Sequence, residues 1–426
     1  MKKILFAVLM LSCWFGVSCP VWAGPFVLTP KMTLQEKYND NIFFSEQGEL
    51  DDWVTRLGLG LQGRYHDGRQ KLVLDGKVEV YEYSEYDQFE DTDRFCRGRW
   101  DFRITERWDA HVLASYRRDS QPDRDLDETG QVLSTDTRKR QTYGLGTGWV
   151  VTEKQSLNLD YTYRREDWDD PTAFDFYVNS LDMVWGCNLG GWWPNTTGRV
   201  TLGYDRHDYR RNYWTRRSLP GITSDTNTRE SIKVKNSVVM LGFSHDMTEL
   251  FYYSIDAGAR HTRTEDSILR VRYVTTPLGS YSQVLSDGDY KYEDWNFNGR
   301  AELGYKGLVS RAALSVSHEL KPSSRGRGAV QRVTLRLSGS RRLTEGFSVG
   351  LTLAWHRNEE ERSELDSTPE DSEVFIVNPR LTYRFNRFVS LEAGYEYATK
   401  QDRTTDHEWD RHLATLTCRM SYPFFE

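Results

Sequence analysis

Beyond its first two dozen residues the chain has no apolar run near the roughly 20 residues that a membrane-crossing helix needs. Hydrophobic residues make up only 38% of its 426 positions, and its mean hydropathy is −0.69. A helical membrane protein is excluded. Cysteine is scarce: Cys13 and Cys19 fall in the N-terminal segment, and Cys96, Cys187 and Cys418 stand far apart. Neither a disulfide framework nor a metal knuckle fits that spacing. Positive charge is not in excess, with 56 Lys and Arg against 63 Asp and Glu, a net of −7. That disfavours a nucleic-acid partner. No Gly-x-Ser-x-Gly, His-Glu-x-x-His or Cys-x-x-Cys occurs. The neighbours His66-Asp67, His207-Asp208, His245-Asp246 and His407-Glu408 look like acid–base couples. Adjacent residues of a strand point to opposite faces, so none forms a dyad alone. The expectation is a protein that is not an enzyme and needs no cofactor or metal.

What is present is a rhythm. In the last segment Ala414, Leu416, Cys418, Met420, Tyr422 and Phe424 alternate with Arg411, Leu413, Thr415, Thr417 and Arg419. Period 2 gives a strand with one oily and one wet face. Such segments recur along the whole chain behind what reads as a secretory signal peptide over 1–23. There Lys2 and Lys3 precede the apolar stretch Ile4 to Val17, and Val21-Trp22-Ala23 precedes the cleavage point. A lipoprotein signal at Cys19 is the rival reading. Residues 24–426 then form one domain.

Eighteen alternating segments are predicted, with sixteen as the alternative. The first is near Phe26–Tyr38, the clearest include Asp52–Tyr65 and Gln70–Tyr83, and the last is Glu408–Phe424. Short connections such as His66 to Arg69 and Asn386-Arg387 alternate with long polar ones: Asn39–Asp51, Asp119–Asp136, Asp208–Lys233, Thr264–Tyr290 and Glu359–Ser372. A Thr-Glu pair recurs in the short ones, at Thr105, Thr152, Thr248 and Thr344. Aromatics gather at segment ends, as at Tyr81/Tyr83, Tyr161/Tyr163 and Tyr395/Tyr397. An all-β, single transmembrane antiparallel barrel of the bacterial outer membrane carries these features, with short periplasmic turns, long outer loops and aromatic girdles. An even strand number puts both termini in the periplasm. The competing reading is a soluble propeller or sandwich. The length of the segments and the persistent loop alternation weigh against it.

On this register Arg56, Arg64, Asp75, Lys77, Glu79, Arg97, Arg99, Asp101 and Arg103 face the lumen. So do Asp160, Asp182, Arg199, Arg300, Glu302, Arg332, Arg336, Arg380, Arg384 and Arg419. These are the candidate pore-lining residues. Arginine forks bind carboxylate, phosphate and sugar hydroxyls. The same charges also pair with each other and stiffen a wall. The acidic stretches Asp87–Asp93, Asp167–Pro171 and Glu364–Glu373 lack calcium-loop spacing. They read as solvated loops or as loops bridged to lipopolysaccharide by divalent ions.

The segment Leu34-Gln35-Glu36-Lys37-Tyr38-Asn39-Asp40-Asn41-Ile42-Phe43, followed by Asp51-Asp52-Trp53-Val54-Thr55, resembles the putative β-barrel porin 2 family. The resemblance implies an outer-membrane barrel tied to export of exopolysaccharide or capsule; directional export would need a periplasmic export partner, since nothing in the sequence supplies an energy source. Read by itself, the Asn-Asp-Asn run is a turn that ends the first strand. The expected function is a porin-like channel, with polysaccharide export resting on the resemblance alone. A general diffusion porin and a non-conducting scaffold or adhesin with binding loops are the alternatives. Expected partners are outer-membrane lipid and lipopolysaccharide, the barrel-assembly machinery, and the polysaccharide.

Overall fold

The computed structural model describes residues 26–121, 123, 126, 136–170, 173–191, 193–219, 222–322, 329–360, 371–404 and 406–424. The signal segment 1–23, most of 122–135 and the acidic stretch 361–370 lie outside the described residues. Eighteen strands form one antiparallel sheet. In chain order they are β1 (Phe26–Asn39), β2 (Asp52–His66), β3 (Gln70–Tyr83), β4 (Asp91–Thr105), β5 (Trp108–Asp119), β6 (Arg138–Thr152), β7 (Gln155–Trp168), β8 (Asp175–Asn188) and β9 (Thr196–Leu219). Then come β10 (Ile222–Asp246), β11 (Phe251–Thr276), β12 (Gly279–Lys306), β13 (Ser310–Pro322), β14 (Ala329–Arg342), β15 (Phe347–Glu360), β16 (Asp371–Arg384), β17 (Val389–Asp402) and β18 (His407–Ser421). Each pairs with its neighbours in sequence, and β1 pairs with β18 from Lys31↔Ser421 to Asn39↔Leu413, which closes the barrel. Closure removes the free edges that would otherwise expose backbone groups to hydrocarbon.

The alternation survives intact in the register. On β18 Ala414, Leu416, Cys418 and Met420 face outward, while Arg411, Thr415, Thr417 and Arg419 face the lumen. Cys96 and Cys187 also point outward, on β4 and β8. Tyr161, Tyr204, Trp185 and Trp295 are outward and exposed, the arrangement a membrane girdle requires. Tyr81 and Tyr83 break that rule. They face inward and are buried against Ile42 and Val54.

The recurring threonine has a structural cause. At Thr248 and Thr344 the hydroxyl accepts the backbone N–H of Phe251 and of Phe347, each at 3.0 Å. Asp67 and Asn386 do the same in their turns with carboxylate and amide oxygens. A short side-chain oxygen satisfies the donors that a tight reversal leaves unpaired. Gly68, at φ +82°, supplies the left-handed residue of the β2–β3 turn.

Two of the expected long loops are not loops. Asp208–Lys233 and Thr264–Tyr290 continue as strand, so β9 to β12 run 24 to 28 residues where most other strands run 12 to 15. Their polar character suits a sheet wetted on both faces, which a period-2 search for one oily face overlooks. The four strands stand clear of the wall as a tall apron. Strand β8 leaves β9 at Asp175↔Arg210, and β13 leaves β12 at His318↔Gly299.

Candidate functional site

The lumen has two unlike ends. At the end carrying the long loops, the inward positions turn apolar. Phe44, Leu126, Ala354, Val374, Ile376, Ala398 and Trp409 form one buried cluster. Phe174, Phe176, Val178, Tyr209, Ile232 and Val234 form a second, with Leu320 packed on it. Ile42, Val54, Tyr81 and Tyr83 form a third, covered by Phe43, Tyr86 and Phe89. Apolar side chains facing a water-filled lumen gain nothing unless something covers them. Here the covers come from segments that fold inward: Phe44 after β1, Leu126 after β5, and the top of the β13–β14 hairpin. Leu320 reaches the second cluster because β13 has already left β12 at His318.

The inward segments are fastened by charge. Asp123, two residues past Gln121 in the loop after β5, pairs with Lys37 of β1 at 3.6 Å and with Arg411 of β18 at 3.3 Å. Arg411 also pairs with Glu396, and its guanidinium lies 4.8 Å from the centre of the Phe44 ring. Burial pushes the Asp123 carboxyl up, but Lys37 and Arg411 outweigh that and hold it down at about 2. At the root of the same loop, fully buried Arg138 bridges Asp119 at 3.1 Å and Glu166 at 3.5 Å. Arg140 meets the same Glu166 at 2.7 Å.

The Asn-Asp-Asn turn anchors this closure. The Asn41 side chain is fully buried, donates to the carbonyls of Ser45 and Asp410, and accepts from the Ser45 N–H. Asp40 accepts from the His412 N–H at 2.7 Å. The Asp52 carboxylate collects the N–H groups of Ser84, Glu85 and Tyr86. The motif that resembles a family is therefore a brace. It ties the first inward loop to β18 and to the β3–β4 connection.

Beneath the closure lies a cavity of about 630 Å³ lined by both signs of charge, among them Lys31, Lys77, Asp75 and Glu79. Glu79 takes Arg56 at 3.0 Å and Lys77 at 2.9 Å, and Asp75 takes Lys31 at 3.3 Å. Across the barrel Asp256 holds Arg199 at 2.5 Å and Arg300 at 2.8 Å. Gly146 faces in beside His111 and Asp160, which meet at 3.3 Å. A Cβ at that position would lie 2.2 Å from each, so glycine makes room for the pair.

The pairing register puts every candidate pore-lining residue on the inward face. Arg56 and Arg64 lie on β2, Asp75, Lys77 and Glu79 on β3, and Arg97, Arg99, Asp101 and Arg103 on β4. Asp160 is on β7, Asp182 on β8, Arg199 on β9, and Arg300 and Glu302 on β12. Arg332 and Arg336 are on β14, Arg380 and Arg384 on β16, and Arg419 on β18. They are not one site. Arg56 and Glu79 belong to the cavity under the closure. Arg64, Arg103 and Arg384 stand near the short-turn end, and among the described residues they and Arg97 have no carboxylate partner. Arg419 is solvent-exposed although it meets Glu392 at 3.0 Å.

The closure itself was not foreseen. Asp123, Leu126, Phe44 and Ile42 sit in segments without periodicity, where an inward and an outward loop read alike. The acidic stretch Asp87–Asp93 was expected as solvated loop, yet Asp93 is buried and accepts from the N–H and hydroxyl of Ser120. The signals available were Leu126 alone among acids, and Val374-Phe375-Ile376-Val377, an apolar run that covers both faces of a strand. Such a run means that the inward face of the strand is as apolar as its outward face, with Val374 and Ile376 buried inside and Phe375 exposed outside.

Among solved structures, the chain is similar to the siderophore receptor PirA from Acinetobacter baumannii, at 9% identity over 95% of this chain and 81% of that one, with a TM-score of 0.45. The alcaligin receptor FauA from Bordetella pertussis matches at 10% identity over 93% and 76%, with a TM-score of 0.44. The ferric yersiniabactin uptake receptor FyuA from Yersinia pestis matches at 13% identity over 89% and 62%, with a TM-score of 0.39. No curated protein matches the chain. The barrel is an outer-membrane β-barrel, and its residues 21–178 match the model of the family described as putative beta-barrel porin 2.

Proposed function

We propose that this barrel is a porin-like conduit for polar, anionic polymer, with exported surface polysaccharide as its cargo. The long-loop end faces the cell exterior and both termini face the periplasm. The observation that carries the reading is the contrast along the lumen. Among the described residues, Arg64, Arg103 and Arg384 near the short-turn end and Arg97 midway along β4 have no carboxylate partner, while at the other end an inward loop is fastened by the Asp123, Lys37 and Arg411 contacts. Arginine forks reversibly bind carboxylate and sugar hydroxyls, which suits a polymer that must slide. The chain supplies no covalent step and no energy source, so direction comes from a periplasmic partner. The conduit is supported by the match of residues 21–178 to a porin family model, and the polysaccharide rests on the resemblance of the Leu34–Thr55 segment alone.

A second reading has its own observation. Three dry clusters at one end suit a non-conducting scaffold that presents its outer surface. Single-channel conductance of the refolded mature protein in planar bilayers separates the two. Transient openings that an anionic oligosaccharide blocks support the conduit. A folded barrel that stays silent, with wild-type closure and with the closure cut at Arg411 alike, sinks it in favour of the scaffold.

A further inference from the structure

The outer surface of the wall carries charge unevenly. Going up each strand from the short turns, the outward positions are first apolar or aromatic, and Tyr116, Tyr143 and Tyr204 stand exposed at the top of that band. The first outward charge above it is basic on β4 to β7 and on β9 to β11, while β8 offers Asp175. The register sets Arg94 of β4 opposite Arg118 of β5, and Arg118 opposite Lys139 of β6. It does the same with Arg206, Lys235 and Arg263 on β9, β10 and β11. Like charges directly opposite on neighbouring strands repel and cost stability. Carboxylates answer these rows from one side. Asp91 meets Arg118 at 2.8 Å, Asp169 meets Lys139 at 2.6 Å, Asp208 meets Arg206 at 3.0 Å and Glu265 meets Lys235 at 3.4 Å. All of these acids lie on the long-loop side of their cations, and Glu293, level with Arg263, meets it at 3.5 Å. Among the described outward positions of these strands, no acid lies between the rows and the short turns, and Arg94 has no carboxylate partner. The far flank is the reverse. Glu36 on β1, Glu82 on β3, Glu373 on β16 and Asp410 on β18 hold the corresponding positions, with Arg357 of β15, tied to Asp371, the exception.

We propose that the β4–β11 flank binds the phosphate groups of a multiply phosphorylated lipid headgroup of the outer leaflet, seated on the two cation rows with its acyl chains against the apolar band below. Position names the occupant. The outer wall of a barrel is covered by lipid, and the residues just above its aromatic band lie at headgroup depth. Chemistry agrees with position. The rows lack an anion on their membrane side, phosphate supplies one, and arginine forks take phosphate bidentately. An anion seated there also relieves the repulsion within each row. The contact is direct and needs no divalent ion, unlike a lipid bridged to acidic loops. The acidic far flank would repel the same headgroup, so binding is one-sided. The inference uses the orientation proposed above for the long-loop end and is independent of what crosses the lumen.

The test is a titration of the full folded chain in detergent micelles with lipid A, in the presence of EDTA, with bound lipid counted by native mass spectrometry. That reading does not depend on orientation in a membrane. The wild type should retain lipid A and should not retain lipid A stripped of its phosphates. Each Lys or Arg lost from a lipid-phosphate contact should cost about fivefold in affinity. Arg206→Gln with Lys235→Gln and Arg263→Gln should therefore weaken retention about a hundredfold, and so should Arg94→Gln with Arg118→Gln and Lys139→Gln. Glu36→Gln with Glu82→Gln, on the far flank, should leave it unchanged. Arg94→Gln alone breaks no ion pair and should still cost about fivefold, which decides the matter if a triple variant does not fold. Equal retention of the dephosphorylated lipid, retention only when calcium is supplied, displacement by equimolar inorganic phosphate, or affinity indifferent to both rows overturns the proposal.

Discussion

The two ends of one lumen use the same residue types to opposite effect. At the short-turn end Arg419 meets Glu392 in contact with water. At the long-loop end Arg411, eight residues earlier on the same strand and on the same face, meets Glu396 and Asp123 with its side chain almost wholly buried. Water screens the first pair, and exposed pairs are worth about 0–1 kcal/mol. The second is shielded, and breaking such a pair leaves carboxylates stranded, at a cost of about 3–5 kcal/mol. Burial rather than composition decides which arginine is structural. Arg411→Ala should therefore lower the urea midpoint of the refolded barrel strongly and raise its conductance. Arg419→Ala should leave both nearly unchanged. Equal effects from the two would abolish the distinction.

The apolar side of the closure gives the next largest effect. Leu126 is the one described residue of its loop inside the first cluster, packed with Phe44 and Trp409. Leu126→Ala removes buried methyl groups and should cost about 2–4 kcal/mol if the cavity does not collapse. Because Leu126 comes from a connecting segment and not from the wall, the loss should appear first as channel opening. Bilayer recordings would check this: longer open times at an unfolding midpoint moved less than in Arg411→Ala.

Acid should act on the fastening in a defined window. The folded Asp123 carboxyl is depressed to about 2, below its ordinary value of 3.8. A depressed acid stabilises the state that depresses it above the ordinary value, and that contribution is lost as pH falls through the folded one. Closure should thus hold unchanged from pH 8 to about 4 and loosen only as pH approaches 2. Conductance followed down a pH series checks it. Opening between pH 7 and 5 would place the control on some other group.

These effects also mark what the sequence could carry. The wall was legible to within a few residues, because a lipid-facing strand must alternate and one slipped residue would put arginine into hydrocarbon. Ala414, Leu416 and Cys418 allow one register only. The apron was hidden because Arg210 to Arg217 and Asp287 to Asp294 are wetted on both faces, and period 2 has nothing to sort there. The closure was hidden because Leu126 and Asp123 act on residues nearly 300 positions away, and no local pattern encodes such a meeting. The Asn41 brace was half legible: its turn chemistry follows from residue type, its hold on Asp410 does not.

The smallest effect on stability should come with the clearest effect on permeation. Arg97 has no carboxylate partner among the described residues, and Arg99 meets Asp101 at 2.7 Å with both side chains over a third exposed. Reversing both, as Arg97→Glu with Arg99→Glu, removes no buried pair, so the unfolding free energy should change by less than about 1 kcal/mol. It does change the sign of a patch on the wall of β4. Fixed wall charge concentrates counter-ions in a confined lumen far more than on an open surface. In an Arg411→Ala background, held open, the reversal potential in a potassium chloride gradient should move from anion preference toward cation preference. If the potential stays put while the channel conducts, ions take a path that avoids β4, and the arginine-lined route is wrong even though the barrel is right.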